Sequence, residues 1–152
     1  MEAVSGTEQR PLLDGVEAAF KKSGWSYERL DGPGGGSLLL NLPEADCLVE
    51  LFGDGRLACQ FGVDMEEMRN LLTGDQTEDM ADDELVRVAR YHLKPIVDRY
   101  RAALLREGLE EGVDATSDHY AIVFQAVLDL SSPQQVAHKV ARCLLALEEP
   151  AP

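Results

Sequence analysis

Leu12, Val16 and Phe20 recur at four-residue spacing behind Pro11, Lys21 and Lys22 follow them, and Gly24 comes next. An apolar stripe of that period, with proline in the first turn, cations at the negative end of the dipole and glycine at the stop, predicts a helix over about Pro11–Ser23. The period then drops to two. Trp25–Leu30 reads as a short strand, Asp31-Gly-Pro-Gly-Gly-Gly36 as a turn, and Leu38, Leu40 and Leu42 as one face of a second strand closed by Pro43.

Cys47–Phe52 and Arg56–Val63 flank Gly53-Asp-Gly55, the pattern of a hairpin. Pairing Leu51 with Leu57 puts Cys47, Val49 and Leu51 on one face with Leu57, Cys59, Phe61 and Val63, and leaves Leu48 and Phe52 on the other. In that register Cys47 and Cys59 are diagonal neighbours, roughly 7–8 Å apart and too distant for an unstrained disulfide. Two core thiols are expected.

Asp64 and Glu67 form a capping-box-like start for a short helix carrying Met65, Met68, Leu71 and Leu72, which Gly74 ends. After the acidic linker Asp75–Asp83, a long helix is predicted from Leu85 to about Glu107. Leu85, Ala89, His92, Leu93, Ile96, Val97, Tyr100 and Leu104 fall in one arc of it, whereas Arg87, Arg90, Lys94 and Arg101 fall on the other side. Pro95 removes a backbone donor and should kink or split this helix. Gly108–Ser117 reads as a polar connection. His119–Leu130 is apolar on both faces, as in a central strand, and Ser132-Pro-Gln-Gln135 opens a last helix striped with Val136, Val140, Cys143, Leu144 and Leu147.

The order α-β-β-β-β-α-α-β-α defines an α+β fold: a mainly antiparallel sheet of about five strands with helices packed on one face. With 152 residues, 45 % of them hydrophobic, the chain has enough apolar material for one domain. Residues 1–10 and 149–152 are expected to be flexible ends.

Charge changes the picture more than composition does. The net formal charge is −14, which disfavours nucleic acid and anionic membrane surfaces as partners. It is unevenly placed: Glu44–Glu84 holds 13 acidic residues against Arg56 and Arg69, whereas Leu85–Arg106 carries six Arg or Lys against Asp98 alone. No apolar run of about 18 residues and no secretory leader pattern is present, so a cytoplasmic location is expected. Three scattered cysteines do not make a disulfide scaffold.

No arrangement of residues points to catalysis or to a cofactor. Gly32-Pro-Gly-Gly-Gly36 lies between two strands and lacks the Lys-Ser/Thr of a phosphate loop. Asp75, Glu78, Asp79, Asp82 and Asp83 lack EF-hand spacing and read as a solvated linker and helix cap. His92, His119 and His138 sit on three different elements without metal-ligand spacing, His92 at the edge of a core. Asp129, Ser131, Ser132 and His138 include the residue types of a hydrolase triad, but the serines serve as caps and no nucleophile elbow surrounds them.

The first amphipathic helix, the strands Ser37–Pro43, Cys47–Phe52 and Arg56–Phe61, and Ala126-Val-Leu-Asp-Leu130 before a terminal helix together resemble the YbjN family, which is similar to type III secretion chaperones. The resemblance spans about residues 12–147. It implies a small acidic α+β protein that often dimerises and holds an unfolded segment of a client protein on apolar surfaces. The expected function is therefore non-catalytic and chaperone-like: binding of a protein or peptide client, with a homodimer as the plausible assembly. Leu39, Leu48 and Phe52 are candidate contacts, joined by the basic stripe Arg87, Arg90, Lys94 and Arg101 as a possible docking surface for an acidic partner or second subunit. Two rivals are an acidic antidote that blocks a basic partner through Glu44–Glu84, and an enzyme assembled from dispersed residues.

Overall fold

The computed structural model describes residues 6–32, 35–73, 82–116 and 118–148. Helix α1 (Gly6–Ser23) is followed by four strands, β1 (Glu28–Leu30), β2 (Ser37–Leu42), β3 (Cys47–Phe52) and β4 (Arg56–Asp64). A short 3-10 turn, Pro43–Ala45, joins β2 to β3. Helices α2 (Met65–Thr73) and α3 (Asp82–Arg106) then lead to β5 (Glu110–Ala115), β6 (His119–Val127) and α4 (Pro133–Glu148). Gly74 and the linker residues 75–81 lie outside the described residues.

The six strands form one antiparallel sheet in the order β1-β2-β3-β4-β6-β5. Leu51 pairs with Leu57, as the hairpin pattern predicts. Every second residue therefore points the same way: Leu38 and Leu40, Val49 and Leu51, Leu57, Cys59 and Phe61, then Tyr120 and Phe124 face one core together with side chains from all four helices. No described helix packs on the other face of the sheet. Phe61 sits at the middle of the covered face, stacked on Tyr100 of α3 at 5.8 Å and edge-on to Phe124 of β6 at 6.1 Å.

Local chemistry sets the ends. Asp64 accepts a hydrogen bond from the Glu67 N–H at 3.0 Å, which caps α2. The Ser132 carbonyl accepts the first bond of α4, from Val136. Trp25 and Tyr27 do not join a strand; their rings stand edge-on to Phe20 at 5.0 and 5.8 Å, so β1 is shorter than the alternation implies. Helix α1 starts at Gly6 rather than Pro11, because Glu8, Gln9 and Arg10 favour helix without contributing an apolar stripe.

Three further expectations are corrected. The polar connection after Gly108 contains β5, the sixth strand, paired along its whole length with β6. Its sequence, Glu-Glu-Gly-Val-Asp-Ala, lacks apolar alternation because an edge strand with one neighbour buries almost nothing. Pro95 does not split α3, which runs unbroken for 25 residues. Pro95 and Tyr91, four residues before it, both lie on the exposed side, where water can take the bond that proline cannot donate. His92 is exposed rather than set at a core edge. Burial along α3 is confined to the narrow stripe Leu85, Ala89, Leu93, Val97, Tyr100 and Leu104, and His92 lies about 100° from Leu93.

Cys47, Cys59 and Cys143 are free and buried. Cys143 of α4 and Cys47 of β3 both meet Cys59 on β4, so the expected pair of core thiols is a cluster of three. Hydrogen bonding to Cys59 and burial push the Cys143 thiol far above the ordinary range. For Cys59 the contact with Cys143 pulls downward, but the Cys47 contact and burial outweigh it and raise the thiol.

Candidate partner-binding surfaces

The helix-free face of the sheet is built by the alternate residues of each strand. Strand pairing aligns them in rows: Leu39, Glu50, Ala58 and Gln125 in one, Asn41, Leu48, Gln60 and Val123 in the next, then Gly62 and Ala121. Small side chains in the middle make the floor low. Ala58, Ala121 and Val123 are shielded by their neighbours and form a second apolar cluster, with Phe52 packed at its margin. Beside them lies a depression of about 300 Å³ lined by Phe52, Arg56, Ala58, Gln60, Val123 and Gln125.

Leu39, Leu48 and Phe52 all belong to this face, on adjacent strands. Leu48 is 40 % exposed, whereas Leu39 and Phe52 are half-buried. The Arg56 guanidinium lies 4.1 Å from the centre of the Phe52 ring, a cation–π contact. Glu50 accepts hydrogen bonds from the Ser37 hydroxyl at 2.7 Å and the Gln60 amide at 3.3 Å, a polar bridge across β2, β3 and β4. The remaining charges of the face, Glu28, Asp64, Glu110 and Asp114, are exposed carboxylates. An apolar floor thus lies within a predominantly acidic rim.

Sequence reading did not single out Ala58, Ala121 and Val123, which lie on this face and are buried within it. The apolar positions on both faces of β6 read as those of a central strand. β6 does lie inside the sheet, between β4 and β5, and on its helix-free face Ala121 and Val123 are buried while Val127 at its end is 80 % exposed.

The basic stripe of α3 lies on the opposite side of the molecule, above β5. Arg101 donates to Glu111 of β5 at 2.8 Å and pairs with Asp98, which Lys94 also contacts at 2.8 Å. Hydrogen bonds from Lys94 and then Arg101 hold the Asp98 carboxyl below its usual range. Lys94 and Arg101 are therefore already paired, whereas Arg87 and Arg90 are exposed and make no hydrogen bond or ion pair among the described residues. The stripe is chemically two halves.

The sequence features weighed for catalysis remain apart. The Asp129 carboxylate accepts from the Ser131 hydroxyl at 2.6 Å and from its N–H at 3.0 Å, and these bonds hold it below the usual range. This is a turn device, and no bond joins Asp129 to His138 among the described residues. His119 lies over Gly62, so a side chain there would have to displace the imidazole. No group of three or more metal-ligating side chains occurs among the described residues. No described helix is long and apolar enough to cross a membrane.

Comparison of the chain with protein-family models, curated proteins and solved structures gives no match.

Proposed function

We propose that this protein is a non-catalytic, chaperone-like polypeptide-binding protein that holds a client segment on the helix-free face of its sheet. The observation that carries the reading is that Leu48 is 40 % exposed and Phe52 half-buried beside the buried Ala58, Ala121 and Val123, on a sheet face that no described helix covers. Side chains of this kind on a sheet need cover from another element or another chain. The acidic rim selects the partner's chemistry: a segment with apolar side chains for the floor and lysine or arginine at its margins. A second copy stacked face to face would bring the two rims together, so a foreign basic segment fits better than a homodimer through this surface.

The antidote reading uses the same rim with a different balance of forces. An electrostatic complex weakens steeply as salt screens the charges, whereas a client seated on the floor survives. The test is affinity capture from lysate with wild-type protein and a Leu48→Asp/Phe52→Asp variant as baits, each washed at low and high salt. A partner held by the wild type at both salts and lost from the variant is the expected result. Identical partners on both baits would exclude this face, and partners lost from the wild type at high salt would favour the antidote.

A further inference from the structure

Helix α3 and strand β5 are joined by the three-residue turn Glu107–Leu109, and Gly108 takes φ +88 there. The turn sends β5 back along the helix it has just left, and the Arg101–Glu111 pair fastens the two near the turn. Beyond that pair, residues of α3, β5 and β6 line a groove of about 440 Å³. The helix wall from Arg101 to Arg87 is about 21 Å long at 1.5 Å per residue. The six residues of β5 span about 20 Å. The helix wall matches in length about six residues of extended chain, and from β5 the groove is lined by Glu111 and Val113.

Its two walls differ. The strand wall is Val113, 61 % exposed, with Ile122 behind it and Glu111 beside it. The helix wall carries Arg87, Arg90, Lys94 and Arg101 around Tyr91, which is 81 % exposed. Asp98 and Glu111 occupy Lys94 and Arg101, whereas Arg87 and Arg90 have no ion pair among the described residues of a chain of net charge −14. This surface is opposite in sign to the rim of the helix-free sheet face and lies on the other side of the sheet.

We propose that the α3–β5 groove binds an extended acidic segment of another polypeptide, carboxylates turned to Arg87 and Arg90 and apolar side chains turned to Val113 and Ile122. In an extended chain side chains alternate between two sides, and those on one side recur at about 6.8 Å, a spacing that two flexible arginines one helical turn apart can meet. Alternation also explains which acidic sequence fits. A continuous run of carboxylates would turn half of them toward Glu111, where like charges repel.

The test uses fluorescence anisotropy at low salt with two labelled seven-residue probes of equal charge. One alternates four glutamates with three valines, and the other carries its four glutamates in a single run. The alternating probe is expected to bind more tightly to the wild type. Arg87→Glu/Arg90→Glu should weaken it by about tenfold or more, since two exposed ion pairs become like-charge contacts. Arg87→Lys/Arg90→Lys should retain most of the affinity, and Val113→Asp should lower it while leaving the circular dichroism spectrum unchanged. Leu48→Asp/Phe52→Asp, altered on the opposite face, should bind the probe as the wild type does, which separates this site from the proposed client surface. Equal binding of the two probes, indifference to the double charge reversal, or absence of binding would each overturn the assignment.

Discussion

Gly55, in the turn between β3 and β4, is held against the far end of the sheet. Its φ is +97, and a methyl group there would lie 2.3 Å from the carbonyl oxygen of Leu128, which follows β6. Its own carbonyl accepts the Leu128 N–H at 2.7 Å. Replacing Gly55 with alanine acts twice. The left-handed backbone costs an L-residue about 1–2 kcal/mol, of which about 0.4–1 is offset by the stiffer unfolded chain. Carbon and oxygen do not approach closer than about 3.3 Å without strain, so the backbones must part by about 1 Å. That retreat breaks the Leu128 bond, worth about 1 kcal/mol, and adds packing strain of about 1–3 kcal/mol.

The expected loss for Gly55→Ala is therefore about 2–6 kcal/mol, read as a lower midpoint in urea unfolding at unchanged slope. Gly24 supplies the yardstick, because it also has positive φ, +78, but nothing lies within 4 Å of its would-be Cβ. Gly24→Ala should cost only the backbone part, about 1 kcal/mol. Gly112→Ala, in open space on β5, should be neutral or slightly stabilising. If Gly55→Ala loses no more than Gly24→Ala, the close approach of the turn to Leu128 is wrong.

Two other expectations follow from the core and from α1. All three thiols should resist a colourless-to-yellow disulfide reagent such as dithionitrobenzoate in native protein and react together in denaturant, because each is buried and Cys59 and Cys143 are raised; a fast native thiol would break the three-cysteine cluster. Tyr27 donates to Glu17 at 2.6 Å, and burial followed by that bond pushes its phenol up to about 12. Since the folded state keeps this proton longer than the unfolded chain, the contribution is full below about pH 10 and falls away between about 10 and 12. Tyr27→Phe should therefore flatten the alkaline loss of stability, and an unchanged pH profile would remove Tyr27 as its source.

What sequence alone could reveal depended on burial. Elements with one wet and one dry side, such as the β3–β4 hairpin and α4, announced themselves because every second or every third-to-fourth residue had to be apolar. Strand β5 gave no such signal: with Val113 as its one large apolar residue, it is defined by backbone bonds to β6, which side-chain patterns do not record. The helix-free face was half legible. Leu39, Leu48 and Phe52 were visible as apolar residues on the wrong side of their strands, but Ala58 and Ala121 came to share one buried cluster only when β4 and β6 paired across some 60 residues of chain. The split of the basic stripe was invisible, since Arg101 finds Glu111 only after the chain has turned back on itself.

The pairing of β4 with β6 also dictates an order of assembly. Strands β1 to β4 join neighbours in sequence through short turns, and so do β5 and β6, so each group can close on its own with little loop entropy. The nine-residue ladder from Arg56↔Val127 to Asp64↔His119 is the seam where the two meet, and Cys59, Phe61 and Phe124 fill it. Contacts of such long sequence separation form late and slowly. Before the seam closes, β4 and β6 are both open edges with apolar faces, which makes this interval, rather than any state of the finished fold, the time when the chain is most exposed to aggregation.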